Sequence, residues 1–277
     1  MLRVLSLGAG VQSTTLLLMS ELGELPLLDG AIFADTQSEP SVVYRHLEWL
    51  LGQVSRIPIY QVTAGNLGAA TLSALVPDAV QGKAGRFGQP PFYVRGQKPG
   101  VGMLWRRCTK TYKIVPIERQ LKRLAGLKPK ARLPRTPVVE QWKGISVDEL
   151  QRAACSRVPW IVNRYPLIEL CMRRHDCLRW MKDHGFPEPP KSACLWCPYR
   201  SDAEWRKMRD EHPGDFTRAI DFDEALRAQG QHIPGTHGQA YVHRSAIPLR
   251  LMAFDTPEDA GQQNLFARKE CAGVCGI

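Results

Sequence analysis

The sequence predicts an α/β protein, a parallel sheet with crossover helices followed by a mainly helical part that bears most of the cysteines. Three observations predict it. The first sixty or so residues repeat a strand–turn–helix rhythm, each short apolar run ending on a Gly or Asp turn. Of the 277 residues, 44% are hydrophobic and 23% charged, an ordinary globular composition with enough chain to bury a core without disulfide staples. No run of 18 apolar residues occurs, so a membrane span is not expected.

The elements follow in order. Arg3 to Ser6 reads as a buried strand, and Leu7-Gly8-Ala9-Gly10-Val11 as a turn. Gln12 to Leu22 reads as a helix, with Leu16, Leu17 and Met19 apolar. Ala31 to Ala34 is a second strand, ending at Asp35-Thr36. Ser41 to Val54 is a helix with Val43, Leu47, Leu50 and Leu51 at helical spacing, and Ile57 to Val62 a third strand. Pro77 to Met103 breaks the rhythm: six Gly and four Pro predict a long loop. Thr109 to Leu124 reads as a basic helix broken near Pro116, and Val138 to Trp142 as another strand. Pro134 to Pro137 looks like a joint, which gives two expected domains, 1–137 and 138–277. From Ser146 onward short helices are expected around the cysteines. Ser201-Asp202-Ala203-Glu204 fits a capping box opening a helix through Met208. Met1 runs straight into the first strand and not into a leader, so a cytoplasmic, reducing compartment is expected.

The charge is concentrated. The formal net charge is +10, and Leu104 to Arg135 alone holds eleven Lys or Arg against the single acid Glu118. The rest of the chain therefore balances, and an anion is the expected partner of this one patch. Arg106, Arg107, Lys110 and Lys113 are its candidate anion-binding residues, since guanidinium groups suit bidentate oxyanion contacts. Arg173, Arg174 and His175 form a second basic spot, whereas His46, His184, Trp160, Trp180 and Trp205 read as structural.

Gly8-Ala9-Gly10-Val11-Gln12-Ser13-Thr14 follows the first strand and opens the first helix. Small residues let backbone approach a ligand, and the free N–H groups of a helix start face a phosphate. The dinucleotide fingerprint is absent, as is a Walker loop. The turn resembles the pyrophosphate loop of the adenine nucleotide alpha hydrolase superfamily, which includes ATP pyrophosphatases and phosphoadenylyl-sulfate (PAPS) reductases. The family pattern is Ser-Gly-Gly-x-Asp-Ser, from which this chain departs at Gly8, Ala9 and Gln12. Phe33-Ala34-Asp35-Thr36-Gln37-Ser38-Glu39-Pro40 is similar to the Asp-Thr-Gly-x-Glu segment of PAPS reductases. Ser6, Gly8, Ala9, Gly10, Gln12, Ser13, Thr14, Asp35 and Thr36 are accordingly the candidate nucleotide-binding residues.

Eight cysteines are present. In a cytosolic chain, clustered cysteines point to metal or redox chemistry, while Cys155 and Cys171 read as core residues. The pair in Cys194-Leu195-Trp196-Cys197 brings two thiolates within reach of one metal, and four such ligands hold zinc or an iron–sulfur cluster. Trp105-Arg106-Arg107-Cys108-Thr109-Lys110-Thr111-Tyr112-Lys113-Ile114-Val115-Pro116 resembles the Cys-Thr-x-x-x-Lys-Ile-x-Pro segment of PAPS reductase-like proteins, among them the sulfur-transfer enzyme of bacterial DNA phosphorothioation. That resemblance implies a [4Fe-4S] cluster on Cys108, Cys177, Cys194 and Cys197, with Cys171 a rival for the second ligand. Zinc, or no metal, stay open. Glu270-Cys271 and Cys275-Gly276 each resemble part of the Glu-Cys-Gly tail of PAPS reductases, whose Cys attacks the substrate sulfur. Cys271 and Cys275 are thus candidate catalytic nucleophiles, with metal ligation or simple burial as the alternatives.

The resemblance runs from Ser6 to Gly276, and Trp160–Leu167 and Asp202–Arg206 look like segments of bacterial and phage PAPS reductase-like proteins. It implies an enzyme that binds an adenine nucleotide (ATP, or PAPS/APS) and performs ATP-dependent sulfur transfer onto a nucleic acid or nucleotide, served by a sulfur-donor protein. A true PAPS or APS reductase is the first alternative. A non-catalytic zinc-containing nucleic-acid-binding module is the second.

Overall fold

The computed structural model describes residues 1–75, 89–96, 100–128, 132–229 and 238–254. The chain forms two compact units, and both are discontinuous in sequence. The first holds Met1–Asp35, Ser41–Ala64 and Lys113–Ser192; the second holds Thr36–Pro40, Gly65–Tyr112 and Ala193 onward. The single cut expected at residue 137 is not where the chain divides.

The first unit is an α/β layer structure. Strands β1 (Leu2–Leu7), β2 (Gly30–Asp35) and β3 (Ile59–Thr63) alternate with helices α1 (Val11–Glu21) and α2 (Ser41–Gln53). The strands that come next in its sheet are β4 (Val139–Lys143) and β5 (Ile161–Arg164). All pairs are parallel, in the order β3-β2-β1-β4-β5. This is why residue 137 cannot end a domain: β4 pairs directly with β1, Leu2 opposite Val139 through Ser6 opposite Lys143. The inner strands are covered on both faces, so they read as apolar runs and not as alternation. Leu5, Ala31 and Ile32 are fully buried.

The helices differ in how much they bury. Nearly all of α1 is inside, including Thr14, Thr15 and Ser20. Its polar groups are satisfied locally: Thr15 Oγ1 donates to the Val11 carbonyl at 2.9 Å, and Ser20 Oγ to that of Pro26 at 3.0 Å. Helix α2 is amphipathic and buries Val43, Leu47 and Leu50. Leu51, expected on the same face, is exposed. The basic segment opens with a π-helical turn, Thr109–Ile114, and continues as α3 (Val115–Leu124). Pro116 sits in the first turn of α3, where its missing N–H costs nothing, so the expected break falls at the junction of the two. Helix α3 packs Pro116, Ile117 and Leu121 inward. Helix α4 (Arg174–Asp183) lies against α1 through Cys177 and Met181.

The second unit was legible only in its helical half. Its core gathers Leu67, Phe92, Trp196, Trp205, Phe222 and Leu226 from helices α5 (Leu67–Leu75), α6 (Asp202–Glu211) and α7 (Pro213–Gln229) and the segments between them. Trp196 and Phe222 stack with centroids 4.0 Å apart. The expected capping box is present: Ser201 Oγ accepts from the Glu204 N–H, and Glu204 accepts from the Ser201 N–H at 2.9 Å. An antiparallel sheet was not foreseen. It joins β6 (Tyr93–Gly96) to β7 (Gly102–Met103) and β8 (Gly238–Tyr241), in the order β7-β6-β8. Part of the expected loop is therefore strand. Gly238 makes the pairing possible, because a Cβ there would fall 2.5 Å from the Arg95 carbonyl oxygen. Fully buried Asp223 ties α7 to the chain beyond β8, accepting the Val242 and Leu249 N–H groups at 3.1 Å and pairing with Arg227.

No helix among the described residues is long and apolar enough to cross a membrane.

Candidate functional site

Strand order reverses between β1 and β4, since β2 lies on one side of β1 and β4 on the other. In open parallel sheets, ligands sit outside the carboxyl ends of the strands at such a switch point. The glycine turn occupies that place. It leaves β1 after Leu7 and enters α1 at Val11, with Gly10 as an N-cap that has no side chain to offer the first helical N–H groups. Ala9 stands at φ 54°, in the left-handed region where the resembled family has Gly.

Gly8 and Gly10 differ from the other tight glycines. A Cβ on Gly8 would lie 3.7 Å from Ser13 Oγ, and one on Gly10 3.8 Å from Ser192, both ordinary contacts. Neither has a positive φ. Among the described residues, nothing requires glycine at 8 or 10. Gly144, just past β4, is the opposite case: its Cβ would be 2.7 Å from the Ser13 nitrogen. The turn and the β4 end are packed backbone to backbone. Gly144 carried no sequence signal, because only the pairing of β1 with β4 brings it there.

The expected nucleotide-binding side chains divide into two groups. Ser13 faces the turn, accepting the Gly8 N–H at 3.1 Å and donating to the Gly10 carbonyl at 3.2 Å. Gln12 is held at both ends of its amide: Arg174 donates to Oε1 at 3.1 Å, and Nε2 donates to Glu149 at 3.4 Å. The carboxylate that the resembled pattern places at position 12 is thus present one hydrogen bond away. Burial holds the Glu149 carboxyl above its ordinary range, against the pull of Arg152 and Arg174, and Arg152 donates to it. Lys143 ends β4 beside the same switch point, and burial draws its ammonium below its usual range, with Glu118 opposing. Ser6 and Thr14 belong to the second group and face inward. Ser6 accepts from Gln141 at 2.6 Å, and fully buried Thr14 shares a 3.1 Å hydrogen bond with His46. Burial lowers the His46 imidazole to about 4, so it is neutral. Asp35 accepts from the Tyr44 hydroxyl at 2.9 Å.

Thr36 belongs to the second unit, where its hydroxyl lies 3.6 Å from the Cys194 sulfur. The Cys194–Cys197 loop closes through a 3.0 Å hydrogen bond from the Cys197 N–H to the Cys194 carbonyl. Its unforeseen organiser is buried Arg200, which donates to the carbonyls of Ala193, Cys194 and Leu195 at 3.0–3.2 Å and stacks over Trp205. Cys108 and Cys194 pack against the same core. Burial raises the Tyr93 phenol, Arg244 opposing and Cys197 adding to the rise. Arg106 lies over the Tyr199 ring at 5.8 Å, and Arg107 and Lys110 are exposed.

The cysteines do not sort as expected. Cys155 and Cys171, read as core residues, are exposed. Cys177, read as a metal ligand, is fully buried in the first unit's core with Leu167, Met181 and Trp142. Burial pushes its thiol up to about 12, a Thr15 hydrogen bond opposing. Helical periodicity explains this, since Cys177 and Met181 are four apart on the face of α4 that meets α1. Among the described residues no three His, Cys, Asp or Glu side chains gather to hold a metal ion. Cys177 as placed does not fit a thiolate ligand. Cys271 and Cys275 lie outside the described residues.

No protein-family model matches the chain. No curated protein matches it either. Among solved structures, the chain is similar to the PAPS reductase from Candida auris in its phosphate complex, at 12% identity and a TM-score of 0.37, over 68% of this chain and 74% of that one. A likeness this low carries no residue or role across.

Proposed function

We propose that the protein binds the phosphates of an adenine nucleotide at the turn from Leu7 to Ser13. The observation that carries this reading is the pair of glycines at 8 and 10. They stand at the switch point and at the start of an eleven-residue helix, yet no atom of the described residues demands them. Room left open at a helix start suits an oxyanion. Glu149, acting through Gln12, supplies a carboxylate beside the turn for a nucleotide-bound cation. Lys143, with its lowered ammonium, stands near as a neutralising or proton-moving group.

The reaction class we propose is ATP-dependent sulfur transfer, as the sequence resemblance implies. An acceptor oxygen attacks the α-phosphorus, pyrophosphate departs, and a sulfur nucleophile then displaces AMP. No step is routed through a metal. A PAPS or APS reductase is distinguished by sulfite release without pyrophosphate. Zinc or an iron–sulfur cluster at the Cys194–Cys197 pair is a second reading, supported by Cys108 on the same core, and metal and sulfide analysis decides it.

The test is substitution of Gly8→Ala and Gly10→Ala, with ATP binding and thermal melting both measured. Each methyl fits the protein, so Tm should stay within about 2 °C of wild type. ATP affinity should fall at least about tenfold, roughly 1.4 kcal/mol. Unchanged affinity with unchanged Tm sinks the assignment, as does a wild-type chain that binds no nucleotide.

A further inference from the structure

The edge strand of the first sheet carries a second opening that the nucleotide turn does not use. A cavity of about 250 Å³ lies between the carboxyl-terminal half of β3 and the helix α3. Gln61, Val62 and Thr63 line it from the strand; Pro116, Arg119, Gln120 and Arg123 line it from the helix. One bound water needs only about 10–15 Å³, so the space admits a tetrahedral oxyanion.

Its charge is one-sided. Arg119 and Arg123 are one helical turn apart, both exposed, and no acid lines the cavity. Among the described residues neither guanidinium has a hydrogen-bond or ion-pair partner. The other arginines of this basic segment are not alike: Arg106, for one, lies over an aromatic ring. Two like charges at this spacing oppose the helix that carries them. They come together here with the carboxamides of Gln61 and Gln120 as further donors, the usual company of a bound phosphate.

We propose that this cleft is a phosphate-binding site, in which Arg119 and Arg123 grip the oxygens of one phosphate group. It is separate from the glycine turn: β3 is two strands from β1, roughly 10 Å along the sheet. The phosphate belongs either to a small molecule or to a nucleic-acid backbone, and both present the same oxygens.

The experiment uses the full chain carrying Gly8→Ala and Gly10→Ala, so that phosphate binding at the turn is weakened. Inorganic phosphate is titrated by calorimetry with and without Arg119→Ala and Arg123→Ala. A fluorescent single-stranded oligonucleotide is titrated in parallel by anisotropy at several salt concentrations. The arginine pair should account for at least a tenfold change in phosphate affinity, with circular dichroism unchanged. For a polymer source, oligonucleotide binding weakens and its salt slope falls by about 0.7, the share of one phosphate on a single strand. For a small-molecule source, phosphate binding alone weakens. Replacement by Lys at both positions should restore part of the affinity. Equal phosphate affinity with and without the arginines, in folded protein, overturns the proposal. Loss of ATP binding in the glycine variants concerns the turn alone and leaves this outcome untouched.

Discussion

The glycine turn and the Cys194–Cys197 loop are both short and close to a helix start, but they are built by different means. The turn is packed by backbone: Gly144 lets the end of β4 press on the first turn of α1, and the N-cap is a glycine with no side chain. The thiol loop adds a side chain to its backbone bonds, since Arg200 reaches three consecutive carbonyls from inside the second unit's core. A backbone-built site tolerates most side-chain substitutions around it. A site that leans on one guanidinium does not tolerate its loss.

The largest expected effect tests that contrast directly. Arg200→Ala takes the guanidinium from the Ala193 and Leu195 carbonyls, leaves the Cys194 carbonyl to the Cys197 N–H and removes the cation over Trp205, at a cost of about 3–5 kcal/mol. Chemical denaturation should show the second unit unfolding first, with the first unit's transition unmoved. A loss under about 1 kcal/mol means that other groups hold the loop.

The next effect lies inside the first unit and depends on pH. His46 is buried against Trp49 and Thr14 and is neutral, with its titration lowered by burial to about 4 from 6.5. As pH falls below 6.5 the unfolded chain takes up a proton that the folded chain refuses, so stability is lost between pH 6.5 and 4. The full loss, about 3 kcal/mol, is reached below about pH 4. His46→Phe keeps the stacking on Trp49 and removes the titration. Its stability between pH 7 and 4 should therefore slope less steeply than wild type, and parallel curves rule the mechanism out.

What the sequence made legible follows from the range of the forces involved. Alternating strands and helices, the turn at the end of β1 and the Ser201 capping box depend on residues a few positions apart, and all stand where expected. The misreadings involve long-range pairing. β4 joins the first sheet across more than a hundred residues, which moves the unit boundary and brings Gly144 to the turn. The β6–β8 pair also closes over a long separation and was hidden in a Gly-rich stretch. Among the cysteines, spacing alone identified the Cys194–Cys197 loop. Exposure could not be read for Cys155, Cys171 or Cys177, because it depends on which helix face meets a neighbour.

The smallest effect separates two uses of glycine in one structure. Gly144→Ala places a methyl 2.7 Å from the Ser13 nitrogen and 3.0 Å from its Cα, both main-chain atoms that cannot rotate away. The helix start must shift, at a cost of about 1–3 kcal/mol, and nucleotide affinity should fall along with stability. Gly10→Ala meets only an ordinary contact at 3.8 Å, so affinity should fall while stability holds. Melting and ATP titration on the two variants side by side therefore give different patterns. If Gly10→Ala destabilises as much as Gly144→Ala, glycine at position 10 serves the fold, and the case for a ligand at the turn loses its support.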